Sequence, residues 1–233
     1  MQRHGPVRAN RLLGLLPTKD YRRLHPQLER IPLTFRQPLY EAGQPLSFVY
    51  FIETGVASLV RTMANGRPVE VGTIGNEGMV GLPVLLGDDR APTSVYVHVP
   101  GTGMRMTAAR FERELANSAS LRRVMLRYAH VLFNHVAQSA ACNQSHTLQQ
   151  RYCRWMLMTQ DRMQSDEFFL TQEVLAEMLG VQRTGLSAAA VALQRAGLIA
   201  YRRGVVTILD RAALRRRACE CYGDFKEAFR SAA

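Results

Sequence analysis

The sequence contains little that would support a disulfide framework, a membrane span or a secretion signal. Its 233 residues include only four cysteines, which are too few and too scattered for a disulfide-stabilised fold. No run approaches the roughly 20 apolar residues that a membrane-spanning helix needs. The N-terminal apolar run, LLGLLP, is too short for a signal peptide. These absences predict a cytoplasmic protein that has no membrane partner.

The sequence also lacks the spacings that are typical of metal sites and catalytic centres. Only one residue separates Cys219 from Cys221, whereas a zinc knuckle has two residues between its cysteines and a second pair of ligands. No nucleophile stands in a recognisable pattern with a base. We therefore predict no metal site, no catalytic residues and no enzymatic activity, and we expect the cysteines to serve in packing.

Acidic residues are scarce compared with basic ones. The chain has 30 lysines and arginines against 19 aspartates and glutamates, a net charge of +11. The excess is concentrated in residues 171–217, where eight arginines against three acidic residues leave a net charge of +5. A basic region of this kind favours a polyanionic partner, most simply a nucleic acid.

The first half of the chain has the pattern of a small antiparallel β domain. From about residue 32 to residue 106, apolar and polar residues alternate and turn residues recur at short intervals. Asn65-Gly66 is a strong signal for a two-residue hairpin. Many short strands joined by glycine turns predict an antiparallel barrel or jelly roll.

The middle of the chain is predicted to be helical. Residues 107–163 contain no proline or glycine. Within them, one set of residues is spaced by alternating steps of four and three, which is typical of a coiled-coil seam. The set is apolar at its start and becomes small and polar toward its end, and it consists of Leu121, Met125, Tyr128, Leu132, His135, Ser139 and Cys142. The stripe favours a dimerisation helix, although a helix packed on its own barrel would show a similar pattern. Cys142 is expected to be a small buried residue, and a disulfide to its twin is the alternative.

Residues 170–199, LTQEVLAEMLGVQRTGLSAAAVALQRAGLI, predict two short helices around a tight turn. Thr171 is a good helix N-cap, and Gly180 and Gly197 are natural helix ends. A helix, a glycine turn and a second helix form a helix-turn-helix, in which the second helix enters the major groove. An ordinary helical hairpin is the alternative.

The following segment, LIAYRRGVVTILD, predicts two short strands that form a wing. Arginine and glutamine side chains at the start of the second helix can reach base edges, and the arginines of the wing can meet phosphate. The predicted DNA-binding residues are Gln182, Arg183, Thr184, Ser187, Arg202 and Arg203.

The order of these segments resembles the Crp/Fnr family of bacterial transcription regulators. The resemblance extends from about residue 12 to residue 210, and it is most specific in FVYFIETGVASLVRTMANGRPVEVGTIGNEGMVG and in the helix-turn-helix. It implies an α+β fold with an N-terminal antiparallel β jelly roll of the cyclic-nucleotide-binding type, a long dimerisation helix and a C-terminal winged helix-turn-helix. The predicted boundaries are 12–110 for the sensor domain, 111–144 for the dimerisation helix, 145–217 for the DNA-binding domain and 218–233 for a C-terminal helical tail.

The resemblance implies a homodimer that binds a double-stranded DNA operator with twofold symmetry and contacts RNA polymerase. A regulator with no small-molecule effector remains an alternative. So does a cyclic-nucleotide-binding-like interaction module whose C-terminal domain contacts protein. In well-known family members the recognition helix carries a glutamate and an arginine where this chain has Thr184 and Ala188, so the family's operator consensus does not carry over.

The resemblance also defines candidate effector residues. In members that bind cyclic AMP, a short helix after a glycine turn carries a glutamate for the ribose, and a later arginine holds the cyclic phosphate. Arg90 matches that arginine, whereas the glutamate position is assigned to Val80. The candidate effector-binding residues are Gly78, Gly81, Arg90 and Thr93. We predict weak or no binding of cyclic AMP.

No cofactor is predicted. The iron–sulfur branch of the family uses cysteines near the N-terminus, but the first cysteine here is Cys142. A haem sensor needs a ligand in the sensor domain, where His98 is the only histidine near the effector segment. We expect His98 to be an ordinary histidine on a strand that binds no haem.

Overall fold

The computed structural model describes residues 9–66 and 68–231, apart from the side chains of residues 226 and 228–231. Two short helices and a 3-10 turn precede an antiparallel six-stranded β roll, and a third short helix lies within it. The elements are α1 (Arg11–Gly14), α2 (Thr18–Leu24), β1 (Glu29–Leu33), β2 (Pro38–Tyr40), β3 (Phe48–Thr62), β4 (Pro68–Ile74), β5 (Met79–Val80), α3 (Leu82–Leu85) and β6 (Ser94–Thr107).

The β roll is built around the long strands β3 and β6. The sheet runs in the order β1-β6-β3-β4, with β2 paired to β6 and β5 paired to β3. Where β3 and β6 bend, the register shifts and two glycines face each other. A Cβ atom on Gly101 would lie 2.1 Å from the carbonyl oxygen of Thr54, and one on Gly55 would lie 2.7 Å from that of Val99. The predicted β roll is confirmed, and these glycines permit its curvature.

The stretch predicted to be helical throughout, residues 107–163, consists of three helices. They are α4 (Ala108–Asn117), α5 (Ala119–Ser145) and α6 (Leu148–Met163). Ser118 caps α5 by accepting a hydrogen bond from the Leu121 amide at 3.2 Å, and Thr147 forms a capping box with Gln150 at the start of α6. Neither proline nor glycine marks the two interruptions, because polar residues can cap a new helix without them. The segment predicted from residue 111 accordingly begins inside α4.

The predicted seam of α5 packs inside its own protomer. Leu121, Met125 and Leu132 belong to the core of the β roll, and the Tyr128 hydroxyl donates to the Met79 carbonyl oxygen at 3.0 Å. Within the described chain this stripe is therefore intramolecular, which was the alternative that the sequence left open.

The C-terminal part is a winged helix-turn-helix followed by a helix. A three-stranded sheet in the order β7-β9-β8 packs with the helices, around a core that includes Met156, Leu157, Leu175, Leu186 and Leu193. The elements are β7 (Glu167–Phe169), α7 (Gln172–Leu179), α8 (Arg183–Arg195), β8 (Ile199–Arg202), β9 (Val205–Ile208), α9 (Arg211–Arg217) and α10 (Cys221–Ser231).

A buried ion pair joins this domain to the β roll. Nη2 of Arg162, in α6, lies 2.6 Å from Oε1 of Glu77, and the two side chains are 3% and 4% exposed. Arg162 Nη1 also donates to Thr73 Oγ1 at 2.7 Å. Between residues 9 and 231, as far as these are described, no helix is long and apolar enough to cross a membrane.

Candidate nucleic-acid interface

The turn between α7 and α8 presents the start of α8 to solvent. Gly180 has a left-handed φ of 65°, and its amide donates to the carbonyl oxygens at the end of α7. Leu186, Ala190 and Leu193 are fully buried, as their helical spacing predicts. Because these residues fix one face of α8 against the core, the opposite face is left accessible.

The predicted base-reading residues lie together at the N-terminal end of α8. Gln182, Arg183 and Thr184 are all exposed. Ser187, one turn later, is half-buried, and its hydroxyl donates to Oε1 of Gln172 at 2.9 Å. Ser187 thus connects α8 to α7, and it brings Gln172 to the same surface. Gln172 was not predicted as a site residue, because its hydrogen bond with Ser187 joins two helices and leaves no local signal in the sequence.

The exposed face of α8 is formed by small and apolar residues. Thr184, Ala188 and Val191 follow one another at helical spacing, and Val191 is 43% exposed. Small side chains allow close approach to DNA, and apolar ones can contact a thymine methyl group. Ala188 and Val191 were not predicted as site residues, although their phase, opposite to the buried leucines, is a signal that could have found them.

The wing is a tight hairpin with two arginines at its turn. Arg202 pairs with Val205 across the hairpin, so Arg203 and Gly204 form the two-residue turn. Both have left-handed φ angles, 51° and 81°, which is the conformation of a type I′ turn. Arg202 and Arg203 are exposed, so their guanidinium groups are accessible to a ligand.

A second stripe on α5 faces solvent. It repeats in alternating steps of four and three residues like the predicted seam, but each of its residues lies one or two positions further along the helix than a seam residue. It consists of Leu126, His130, Phe133, Ala137 and Ala140. Leu126 is 49% exposed and Phe133 is 71% exposed. An exposed apolar heptad stripe is typical of a helix that pairs with another helix. The heptad repeat is therefore present twice on α5, and the predicted seam is the copy that faces the β roll.

The effector segment is held by contacts within the β roll. The Arg90 side chain donates from Nη1 to the Gly43 carbonyl oxygen at 2.6 Å and is 57% exposed. Thr93 forms a side-chain hydrogen bond with Tyr40. A Cβ atom on Gly78 would lie 2.4 Å from the Tyr128 hydroxyl, so this glycine serves the close packing of α5.

The short helix of the effector segment carries no carboxylate. Gly81 has a φ of 106° and ends β5, so α3 begins at Leu82 with the sequence LPVL. Val80 lies on β5 and is fully buried. The assignment of Val80 to the short helix was therefore wrong, because the left-handed glycine places the helix start two residues later.

His98 lies in the interior of the sensor domain. It is 5% exposed, and burial together with the positive charge of Arg36 lowers its pKa to about 4. The imidazole is therefore neutral at physiological pH.

Comparisons with known proteins agree with this architecture. The cyclic nucleotide-binding domain family matches residues 33–118, and the Crp-like helix-turn-helix domain family matches residues 150–217. Together these ranges cover more than half of the chain. No curated protein sequence matches the chain.

Several solved structures share the fold. TTHB099, a CRP-family transcriptional regulator from Thermus thermophilus, has 21% identity and a TM-score of 0.68, over 81% of this chain and 96% of that one. FixK2 from Bradyrhizobium japonicum has 13% identity and a TM-score of 0.70, over 82% and 98%. A regulator of the crp/fnr family from Eubacterium rectale has 16% identity and a TM-score of 0.66, over 88% and 96%.

The first matched family is a sensor domain and the second is a DNA-binding domain. Domains of these two families in this order, on this fold, occur in transcription regulators rather than in enzymes. The chain belongs to the Crp/Fnr family of transcription regulators.

Proposed function

We propose that the protein acts as a homodimer that reads a twofold-symmetric DNA operator with α8 and grips the flanking phosphates with its wing. The observation that carries this proposal is the exposed group of Gln182, Arg183 and Thr184 at the start of α8. In a helix-turn-helix this end of the second helix enters the major groove and contacts base edges.

The roles of the arginines follow from their positions. Arg183 lies in the first turn of α8, where its planar guanidinium can bind a guanine through two hydrogen bonds, worth about 1–3 kcal/mol of discrimination. Arg202 and Arg203 lie at the hairpin turn of the wing, where the DNA backbone passes in this class of domain. Phosphate contacts add affinity without reading sequence.

The second protomer is proposed to pack on the exposed stripe of α5. Leu126 and Phe133 are one heptad apart and leave large apolar surfaces in solvent. Two such helices, related by a twofold axis, would bury these side chains against each other. A twofold axis would relate the two copies of α8 to each other, as a palindromic operator requires.

The sensor domain is proposed to work without cyclic AMP bound in the family's usual manner. The short helix α3 offers no carboxylate for a ribose, and the Arg90 guanidinium already donates to a backbone carbonyl. Haem and iron–sulfur clusters are not part of the proposal. Either another effector or the abundance of the protein itself would then set its activity.

A cytoplasmic location and a contact with RNA polymerase complete the proposal, because both follow from the role of a bacterial regulator bound at an operator. Crosslinking of the DNA-bound dimer to purified RNA polymerase tests the second point. An absence of crosslinks at a regulated promoter would remove the polymerase from the list of partners.

The test of the proposal compares two sets of variants on operator and scrambled duplexes at several salt concentrations. Arg183→Ala should lose about 1–3 kcal/mol of preference for the operator per half-site and keep most of its non-specific binding. The wing variant with Arg202→Ala and Arg203→Ala should bind all DNA more weakly, with a salt slope reduced by roughly one unit per lost contact. Arg110→Ala, at an exposed position on α4, is the matched control.

Two results would contradict the proposal. If Arg183→Ala weakened both duplexes equally while the wing variant lost sequence preference, α8 would not be the recognition element. If the unchanged protein bound neither duplex at any of the salt concentrations, the C-terminal domain would be a protein-contacting module instead.

A further inference from the structure

Four side chains from two distant parts of the sequence meet at the end of α5. Cys142 and His146 come from the last turn of α5 and its C-cap, and Cys219 and Cys221 come from the turn into α10 and its first residue. Their ligand atoms all lie within 4.8 Å of one another. Three thiols and an imidazole form one of the donor sets of structural zinc sites.

Two of the six distances between ligand atoms in this cluster match tetrahedral zinc coordination. Zinc–sulfur bonds of about 2.3 Å and zinc–nitrogen bonds of about 2.1 Å put two sulfur ligands about 3.8 Å apart, and a sulfur and a nitrogen about 3.6 Å apart. The Cys142 and Cys219 Sγ atoms are 3.6 Å apart. Cys221 Sγ is 3.7 Å from His146 Nδ1. Two edges of the tetrahedron are thus already at the length that a zinc ion requires.

The outer contacts of the cluster orient its ligands for a metal ion. His146 Nε2 lies 3.0 Å from Oε1 of Glu220, so a proton on Nε2 leaves Nδ1 free to ligate, as in the carboxylate–histidine pairs of zinc proteins. Gln138 Nε2 donates to Cys221 Sγ at 3.0 Å, which favours a thiolate. These two contacts have no role in simple apolar packing.

The site is enclosed, as structural zinc sites are. The three cysteines are between 0% and 4% exposed and form a separate buried cluster of their own. A closed set of four protein ligands leaves no open coordination position for a substrate, which distinguishes a structural site from a catalytic one. Soft thiolates together with an imidazole favour zinc over the oxygen-preferring cations.

We propose that Cys142, His146, Cys219 and Cys221 bind one zinc ion, which fixes the C-terminal helix α10 to the end of α5. This inference is independent of how the protein reads DNA, and it reverses the prediction of no metal site. The sequence spacing could not reveal the site, because Cys142 and His146 lie 73 or more residues before Cys219 and Cys221 in the chain.

The position of the site gives the ion a structural role in the DNA-binding half. His146 stands at the junction between α5 and α6, so it lies where the long helix passes into the DNA-binding domain. From α10, Phe225 contacts the ring of His135 on α5, with 4.7 Å between ring centroids, and lies 5.2 Å from the Arg162 guanidinium on α6. A bound ion would hold these three helices in one arrangement.

Metal content and cobalt substitution test the proposal on the full-length protein. Protein purified without chelator should contain one zinc ion per chain. Replacing zinc with cobalt should give the thiolate-to-cobalt charge-transfer band and the intense visible bands of a tetrahedral site. Cys142→Ser and Cys221→Ser should each lose the metal or bind it far more weakly. Cys153→Ser, which changes a buried cysteine of the DNA-binding core, is the matched control and should keep one zinc per chain.

A variant of the outer contact separates binding from folding. Glu220→Gln leaves all four ligands in place and should weaken zinc affinity roughly ten- to a hundred-fold, with the cobalt spectrum retained at saturation. Asp224→Asn, at an exposed position four residues later in α10, should leave the affinity unchanged. Circular dichroism of each variant shows whether it folds.

Three outcomes would overturn the proposal. The first is a wild-type protein that takes up neither zinc nor cobalt under reducing conditions. The second is a cobalt spectrum without thiolate charge transfer. The third is a thiol count of two rather than four in chelator-treated, denatured but unreduced protein, because that result would mean that two of the four cysteines form a disulfide instead of binding a metal.

Discussion

Replacing Phe133 with lysine should separate the dimer without unfolding the protomer. Phe133 is 71% exposed on α5, so its side chain contributes little to the core of its own chain. Burying a whole phenylalanine side chain is worth about 1.5–3 kcal/mol, and the exposed part of Phe133 accounts for about 1–2 kcal/mol of that. A twofold interface contains two copies, so the substitution removes about 2–4 kcal/mol from association.

This loss predicts the change in dimer affinity. Because 1.4 kcal/mol corresponds to a tenfold change in the dissociation constant, Phe133→Lys should raise the dimer dissociation constant roughly 30- to 700-fold. Repulsion between the two lysines across the twofold axis adds to this figure. Sedimentation velocity over a range of concentrations measures the constant, and thermal unfolding followed by circular dichroism shows that the monomer is folded.

Two comparison variants make the result specific. Ala109→Lys introduces the same charge change at an exposed position on α4 and should leave the dimer intact. Leu132→Lys, one residue before Phe133, places a charge in the core, where Leu132 is 4% exposed, and should unfold the chain. A Phe133→Lys protein that sediments as an unchanged dimer would refute the assignment of the outer stripe. A folded monomer from Leu132→Lys would restore the inner stripe as the interface.

Three further predictions concern stability and ligand binding. Burial raises the pKa of Glu70 to about 7, from 4.5 for a free carboxyl group, so the free energy of unfolding falls as the pH rises through this interval. In thermal unfolding, Glu70→Gln should be nearly neutral at pH 4.5 and stabilising by about 1–2 kcal/mol at pH 8, after allowance for partial solvent screening. The exposed control Glu112→Gln should show no such dependence on pH. Glu77→Ala leaves Arg162 buried without its charged partner and should cost about 3–5 kcal/mol in denaturant unfolding. Glu29→Ala, which removes the 61% exposed carboxylate of an ion pair with Arg105, should cost far less, and equal costs would refute the role of the buried pair. Calorimetry with cyclic AMP should detect no binding at micromolar concentrations, and a micromolar dissociation constant would contradict the reading of the short helix α3.

The DNA-binding half was predictable because its signals are local. Gly180 and Gly204 adopt the left-handed conformations that their turns need, and each lies directly beside the element that it ends. The N-cap Thr171 accepts a hydrogen bond from the Val174 amide at 3.2 Å, as its position before an apolar run indicates. Where capping and turn chemistry lie within a few residues, the sequence is sufficient.

The phase of the long helix was not predictable from its own residues. α5 carries two stripes with the same heptad spacing, one through Leu132 and one through Phe133. Both are apolar at their start and become small toward the C-terminus. Only the β roll decides between them, because Tyr128 and Met125 fill its open side. Periodicity shows that a helix has an apolar face, but it does not identify the partner that covers the face.

The cysteine–histidine cluster escaped prediction for a related reason. Cys142 and His146 have the i, i+4 spacing that places two ligands on one face of a helix, but a lone pair of this kind is incomplete. Cys219 and Cys221 complete it only after α10 folds back onto α5. Contacts between segments this far apart depend on tertiary structure, and no local spacing encodes them.

The central claim, that the protein is a dimer which reads a twofold operator through α8, is tested most directly by selecting bound DNA from a random pool with the full-length protein. The account predicts enrichment of an inverted repeat whose half-sites are about one helical turn of DNA, or about 10 base pairs, apart or a multiple of it. It also predicts that Arg183→Ala loses a specific base preference symmetrically in both half-sites. Enrichment of a single unrepeated site, or an unchanged motif with Arg183→Ala, would contradict it.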